Sequence, residues 1–171
     1  MNVSRRSVSA IITALAVLVL AAALPSAVRD TFENGRVYLF SRQFLDELPQ
    51  RFTGPGRFRF ILQPLVAVLL GWRGGLSDAH SGRPAYLYGV LMGKDRRELL
   101  RSGIATIRDL VCMGIVLDSV AQLLIYRQVH PGAALVIGPV FICIPYALSR
   151  ALTNRVVLLL QSGPAGKNEE R

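Results

Sequence analysis

Cysteine is almost missing from this 171-residue chain: Cys112 and Cys143 are the only two, and both fall inside apolar segments. No CxxC pair and no Cys/His ligand spacing occurs, so neither a zinc site nor any other metal site is expected. Two thiols in apolar surroundings behave as small hydrophobes rather than as a disulfide or redox pair. Charge is scarce too, at 18% of residues against 51% hydrophobic. There is no phosphate-binding loop: Lys94 follows Gly93, but no glycine-rich cradle precedes the pair and no Ser or Thr comes after it. No cofactor is implied.

What is present is grease in long runs. Mean hydropathy is +0.39, and the apolar residues are clumped instead of spaced with a helix or strand period. A soluble core helix keeps a polar stripe, whereas a spanning helix is solvated by hydrocarbon on every side. The net charge of +9 could suit nucleic acid, but the basic residues stand at the ends of apolar runs. Membrane topology and anionic headgroups place them there, so no nucleic-acid partner is expected.

The expected fold is all-α: an integral membrane helical bundle of about four transmembrane helices, plus amphipathic interfacial helices. Residues 1–160 form a single membrane domain with spans at 8–28, 58–72, 104–126 and 133–152, and 161–171 is a disordered tail. The first span follows Arg5-Arg6 and reads as an uncleaved anchor, with a secretory signal as its rival because Ala21-Ala22-Ala23 offers small residues for a peptidase. Residues 37–48 space Val37, Phe40, Phe44, Leu45 and Leu48 helically, giving an interfacial or surface helix ended by Pro49. The second span is short and contains Arg59, Gln63 and Pro64; a re-entrant segment competes with it. Residues 85–103 make a second interfacial helix, whose two tyrosines and basic end suit the headgroup layer. The fourth run holds Pro139 and Pro145 and continues as a kinked helix toward Leu160. With the N-terminus inside, thirteen Lys and Arg lie on the cytoplasmic side and seven outside. That bias predicts cytoplasmic N- and C-termini and an even number of crossings, in a bacterial inner (plasma) membrane.

The third run is the most informative. Arg108, Cys112, Ile115, Ser119, Gln122 and Tyr126 share one face, with Asp118 on its edge. An ionised carboxylate at mid-membrane costs at least about 2.5 kcal/mol, so Asp118 must be paired, hydrated or protonated. Matching depths along the helices leaves no basic neighbour, and Asp118 is expected to bond Gln122, Gln63 or a tyrosine hydroxyl. Asp109 falls level with Arg150, predicting an interfacial ion pair. Lys94, Arg96, Arg97 and Arg101 form a basic cluster for anionic lipid headgroups, worth about 1 kcal/mol per residue. Ser77-Asp78-Ala79-His80 with Arg83-Pro84 mixes acid, base and hydroxyl. Lipid-phosphate phosphatases pair Arg-Pro with a Ser-Gly-His motif that this chain lacks, and the repeated Asp pattern of CDP-alcohol phosphotransferases is missing as well. The stretch therefore reads as a solvated cytoplasmic loop, and His130 as an exposed turn residue.

FRFILQPLVAVLLGWRGGLSDAHSGRPAYLYGVL, RRELLRSG and LDSVAQLLIYRQVHPGAALVIGPVFICIPY, within residues 58–150, resemble small uncharacterised multi-pass inner-membrane proteins of bacteria. The resemblance implies no activity and transfers no functional residue. Two functions stay open. One is a non-enzymatic accessory or scaffold subunit packing against a membrane partner or another copy of itself. The other is a small transporter or channel component in which Asp118 titrates.

Overall fold

The computed structural model describes residues 4–35, 38–93 and 96–161, and these are 88% helical with no strand among them. Among the described residues six α-helices follow one another: α1 (Arg5–Asn34), α2 (Arg42–Thr53), α3 (Arg59–His80), α4 (Tyr86–Met92), α5 (Arg96–Tyr126) and α6 (Pro131–Gln161), with one 3₁₀ turn at Tyr38–Phe40. Four of them, covering Arg6–Glu33, Arg59–His80, Arg96–Tyr126 and Pro131–Gln161, are long and apolar enough to cross a membrane. The chain is thus an all-α, multi-pass membrane protein. In hydrocarbon a backbone N–H finds no partner outside its own segment, which is why these runs close into helices.

Local chemistry sets the ends. Ser4 caps α1 by accepting from the Arg6 amide, and Gly35 ends it in the left-handed conformation, φ 64°. Ser41 caps α2, its Oγ accepting from the Phe44 amide at 3.2 Å. α6 begins on Pro131, where a missing N–H costs nothing.

Several boundaries differ from the sequence expectation. Residues 37–48 do not make one helix: Val37 lies outside the described residues, and α2 starts at Arg42 and runs through Pro49 to Thr53. Pro49 already has a helical φ, and the turn after it is closed by Thr53 Oγ1 donating to Pro49 O (3.1 Å) and by the Gly54 amide donating to Gln50 O (2.8 Å). The second span does not stop at Trp72. It continues to His80, so Ser77 to His80 are its last turn and not loop. The 85–103 segment is two elements, α4 and the start of α5, which then runs unbroken into the apolar stretch. Of the expected tail, 161–171, Gln161 is the last residue of α6, and 162–171 lie outside the described residues.

The chain forms two compact units, Met1–Gln63 with Arg108–Ile142 and Pro64–Ile107 with Cys143–Arg171. In the first, Phe52 of α2, Phe60 of α3 and Phe141 of α6 make an aromatic cluster with ring centroids 4.6, 5.0 and 5.9 Å apart. In the second, α3 and α6 touch backbone to backbone. A Cβ on Gly71 would stand 2.5 Å from Tyr146 O, and one on Gly75 would stand 2.5 Å from Arg150 O. Small residues one turn apart permit that approach in a membrane, and Ser149 Oγ donates across it to Val68 O at 2.8 Å.

Gly75→Leu should therefore destabilise the second unit by about 1–3 kcal/mol or more, as overpacking against an immovable backbone does. Urea unfolding in mild detergent measures it, with Gly132→Ala as the control, since a Cβ there meets nothing within 4 Å. Equal midpoints for the two variants would show that the glycine contact is not limiting.

Candidate functional site

The first unit is organised around Asp118, whose side chain is fully buried, at most 1% exposed. Arg59, the first residue of α3, donates from Nη2 to Asp118 Oδ1 at 2.7 Å. Arg51 of α2 donates from Nη1 to Oδ2 at 3.1 Å and to Oδ1 at 3.4 Å. Gln122, one turn along α5, donates from Nε2 to Oδ2 at 2.7 Å. Both carboxylate oxygens are thus doubly engaged. A buried carboxylate needs this arrangement, because its desolvation is offset only by close opposite charge with further hydrogen bonds.

The network reaches outward through Arg51. Its Nη2 donates to the Tyr38 hydroxyl at 3.3 Å, and Tyr38 in turn donates to Glu47 Oε2. Charges therefore alternate from Glu47 through Arg51 and Asp118 to Arg59, with Tyr38 as the neutral link. Burial disfavours the Arg51 cation, but the hydrogen bond to Tyr38 and the Asp118 charge outweigh it and raise the pKa. Burial, helped by the bond to Glu47, pushes the Tyr38 phenol up, so it stays protonated. Tyr126 Oη ties α5 to α2 by donating to Glu47 O at 2.8 Å, and the Arg51 guanidinium lies 5.4 Å from the Tyr126 ring.

His130 is buried, not exposed as the sequence suggests. Its ring stacks on Tyr38 with centroids 3.5 Å apart, and its amide donates to Gln122 Oε1 at 2.7 Å. Burial lowers its pKa, which favours the neutral imidazole. Gln122 thereby joins Asp118 to the turn before α6.

The second unit repeats the theme with Asp78 and Arg150. Nε of Arg150 donates to Asp78 Oδ2 at 2.6 Å and Nη2 to Oδ1 at 2.9 Å, a bidentate pair with both side chains at most 5% exposed. Nη1 donates to Tyr146 Oη at 2.8 Å, Ser102 Oγ accepts from both Nη atoms, and the guanidinium packs 4.4 Å from the Tyr86 ring.

These partners correct two sequence expectations. Asp118 does bond Gln122, but its main partners are Arg51 and Arg59. Position along the chain places both arginines on the outer side of the spans, whereas Arg51 on α2 and Arg59 at the start of α3 both turn onto Asp118. Asp109 and Arg150 do not pair. Arg150 is saturated by Asp78, made available because Asp78 belongs to a helix and not to a solvated loop. Asp109 accepts from Ser9 Oγ at 2.6 Å and from Arg108 Nε at 3.2 Å, half exposed. Of the other predicted residues, Ser119 donates only to Ile115 O of its own helix. Gln63 is buried with Nε2 unpartnered. Arg96, Arg97 and Arg101 are exposed at the start of α5, while Lys94 lies outside the described residues. Among the described residues no group of three His, Cys, Asp or Glu could hold a metal.

Asp118→Asn leaves Arg51 and Arg59 buried without their counter-charge and should cost about 3–5 kcal/mol of unfolding free energy. A triple variant with Asp118→Leu, Arg51→Met and Arg59→Met removes all three charges and should be less destabilised than Asp118→Asn alone. Thermal unfolding in detergent compares them; the reverse order would show that Asp118 is not the anchor. Asp78→Asn should cost a similar amount, and Asp109→Asn should stay within about 0.5 kcal/mol, as exposed substitutions do. A large loss in Asp109→Asn would restore the pairing read from depth.

The chain matches no protein-family model, no curated protein and no solved structure.

Proposed function

We propose that this is a non-enzymatic multi-pass protein of a bacterial inner membrane, with both termini cytoplasmic, acting as an accessory or scaffold subunit that packs against a membrane partner. The observation that carries the reading is the closure of Asp118. A proton or cation relay needs a carboxylate that reaches water and changes charge, whereas this one is enclosed by two guanidiniums and an amide, with at most 1% of its side chain exposed. Asp78, the other deeply buried acid among the described residues, is equally bound by Arg150. Charges locked in this way hold helices in register and leave the outer apolar faces to lipid and to a neighbour.

Orientation rests on the excess of Lys and Arg beside the cytoplasmic ends, and anionic lipid at Arg96, Arg97 and Arg101 fits the same side. The test has two readouts. Reconstituted in vesicles containing a pH-sensitive dye, the protein should leak no more than empty vesicles. Solubilised gently from its own membrane, it should bring down a second membrane protein in fixed stoichiometry. A proton or cation flux that disappears in Asp118→Asn would overturn the proposal in favour of a transporter or channel component.

A further inference from the structure

A cleft of about 340 Å³ opens in the first unit, lined by residues of α1, the Tyr38–Phe40 turn, the cap of α2 and the start of α6. That volume lies at the lower end of the roughly 300–1,000 Å³ usual for small-ligand sites. Most of its polar wall is already satisfied. Thr31 Oγ1 donates to Ala27 O at 2.8 Å, Ser41 Oγ donates to Tyr38 O at 2.7 Å, and Gln43 Nε2 donates to Glu47 at 2.7 Å.

Three further lining groups keep spare hydrogen-bonding capacity. Asp30 accepts from Gln128 Nε2 on one oxygen, and its other oxygen has no donor among the described residues. The Gly132 amide, in the first turn of α6, has no intrahelical acceptor. His130 is only 6% exposed, and its Nδ1 is buried without a hydrogen-bond partner among the described residues. This set is one anionic acceptor and two nitrogens beside the positive end of a 31-residue helix. A molecule carrying both an ammonium and an anionic group complements it.

We propose that this cleft binds the headgroup of an amine-bearing zwitterionic phospholipid, its primary ammonium on Asp30 and its phosphate on the Gly132 amide and His130 Nδ1. Position favours a lipid over a free zwitterion. Asp30 and Gly132 lie at the ends of two membrane-crossing segments, which finish at Glu33 and begin at Pro131, and headgroups lie at those ends. A primary ammonium suits Asp30 because it offers N–H donors to a carboxylate. A quaternary ammonium wants an open aromatic face instead, and the Tyr38 ring in the cleft is covered by His130.

The full-length protein, stripped of lipid in detergent, is titrated with dioctanoyl phosphatidylethanolamine, phosphatidylcholine, phosphatidylglycerol and free phosphoethanolamine, with binding read by native mass spectrometry. Phosphatidylethanolamine should bind most tightly. Asp30→Asn should weaken it about tenfold, the effect of losing a hydrogen bond to a charged group, while phosphatidylglycerol binding stays unchanged. If Asp30→Asn does not fold, the wild-type preference for phosphatidylethanolamine over phosphatidylcholine decides by itself. Equal binding of those two lipids, or an unchanged affinity in folded Asp30→Asn, would overturn the proposal. Free phosphoethanolamine binding as tightly as the lipid would also overturn it, by assigning the cleft to a soluble zwitterion.

Discussion

A charge taken out of water must be met by an opposite charge at hydrogen-bond distance, and in this protein that requirement decides which helix lies beside which. Asp118 is buried. It demands cations, and Arg51 on α2 and Arg59 at the start of α3 deliver them to the same face of α5. Once they are there, Tyr38, Glu47, Gln122 and His130 follow, each hydrogen-bonding or stacking on a member already placed. Replacing such a cluster with grease could be no less stable, since buried ion pairs gain little over well-packed apolar residues. What the cluster adds is a heavy penalty on any arrangement that leaves one charge unpaired.

Asp78 and Arg150 apply the same rule in the second unit, with tighter geometry and a different backdrop. The bidentate fork leaves Arg150 one amino group, which Tyr146 and Ser102 take up. The close approach of α3 to α6 at Gly71 and Gly75 belongs to the same design, since Asp78 lies one turn beyond Gly75 on α3 and Arg150 lies one turn beyond Tyr146 on α6. Packing by small residues and pairing by charge thus act on the same two helices, as they do where no hydrophobic force drives helices together.

Four apolar segments, their helical character and a short polar segment between the first two were legible in composition, because hydrocarbon imposes a run length and forbids open backbone whatever the side chains touch. Asp118 and Gln122 were legible as polar residues that had to face protein. What was hidden is the identity of their partners. Arg51 and Arg59 stand among six arginines between residues 29 and 59, a density that hinted at a use beyond topology, but position along the chain cannot say which of the six turns inward.

The sequence by itself determined that this protein is built of membrane-crossing helices and that its few intramembrane acids need partners. Both follow from transfer free energies, which depend on residue type and run length and so act locally. Only the tertiary structure decided that Asp118 takes two arginines, that Asp78 and not Asp109 takes Arg150, and that His130 is enclosed. Those outcomes turn on a helix that passes through Pro49 and on another that runs eight residues beyond Trp72, and they join residues 59 to 72 positions apart in the chain.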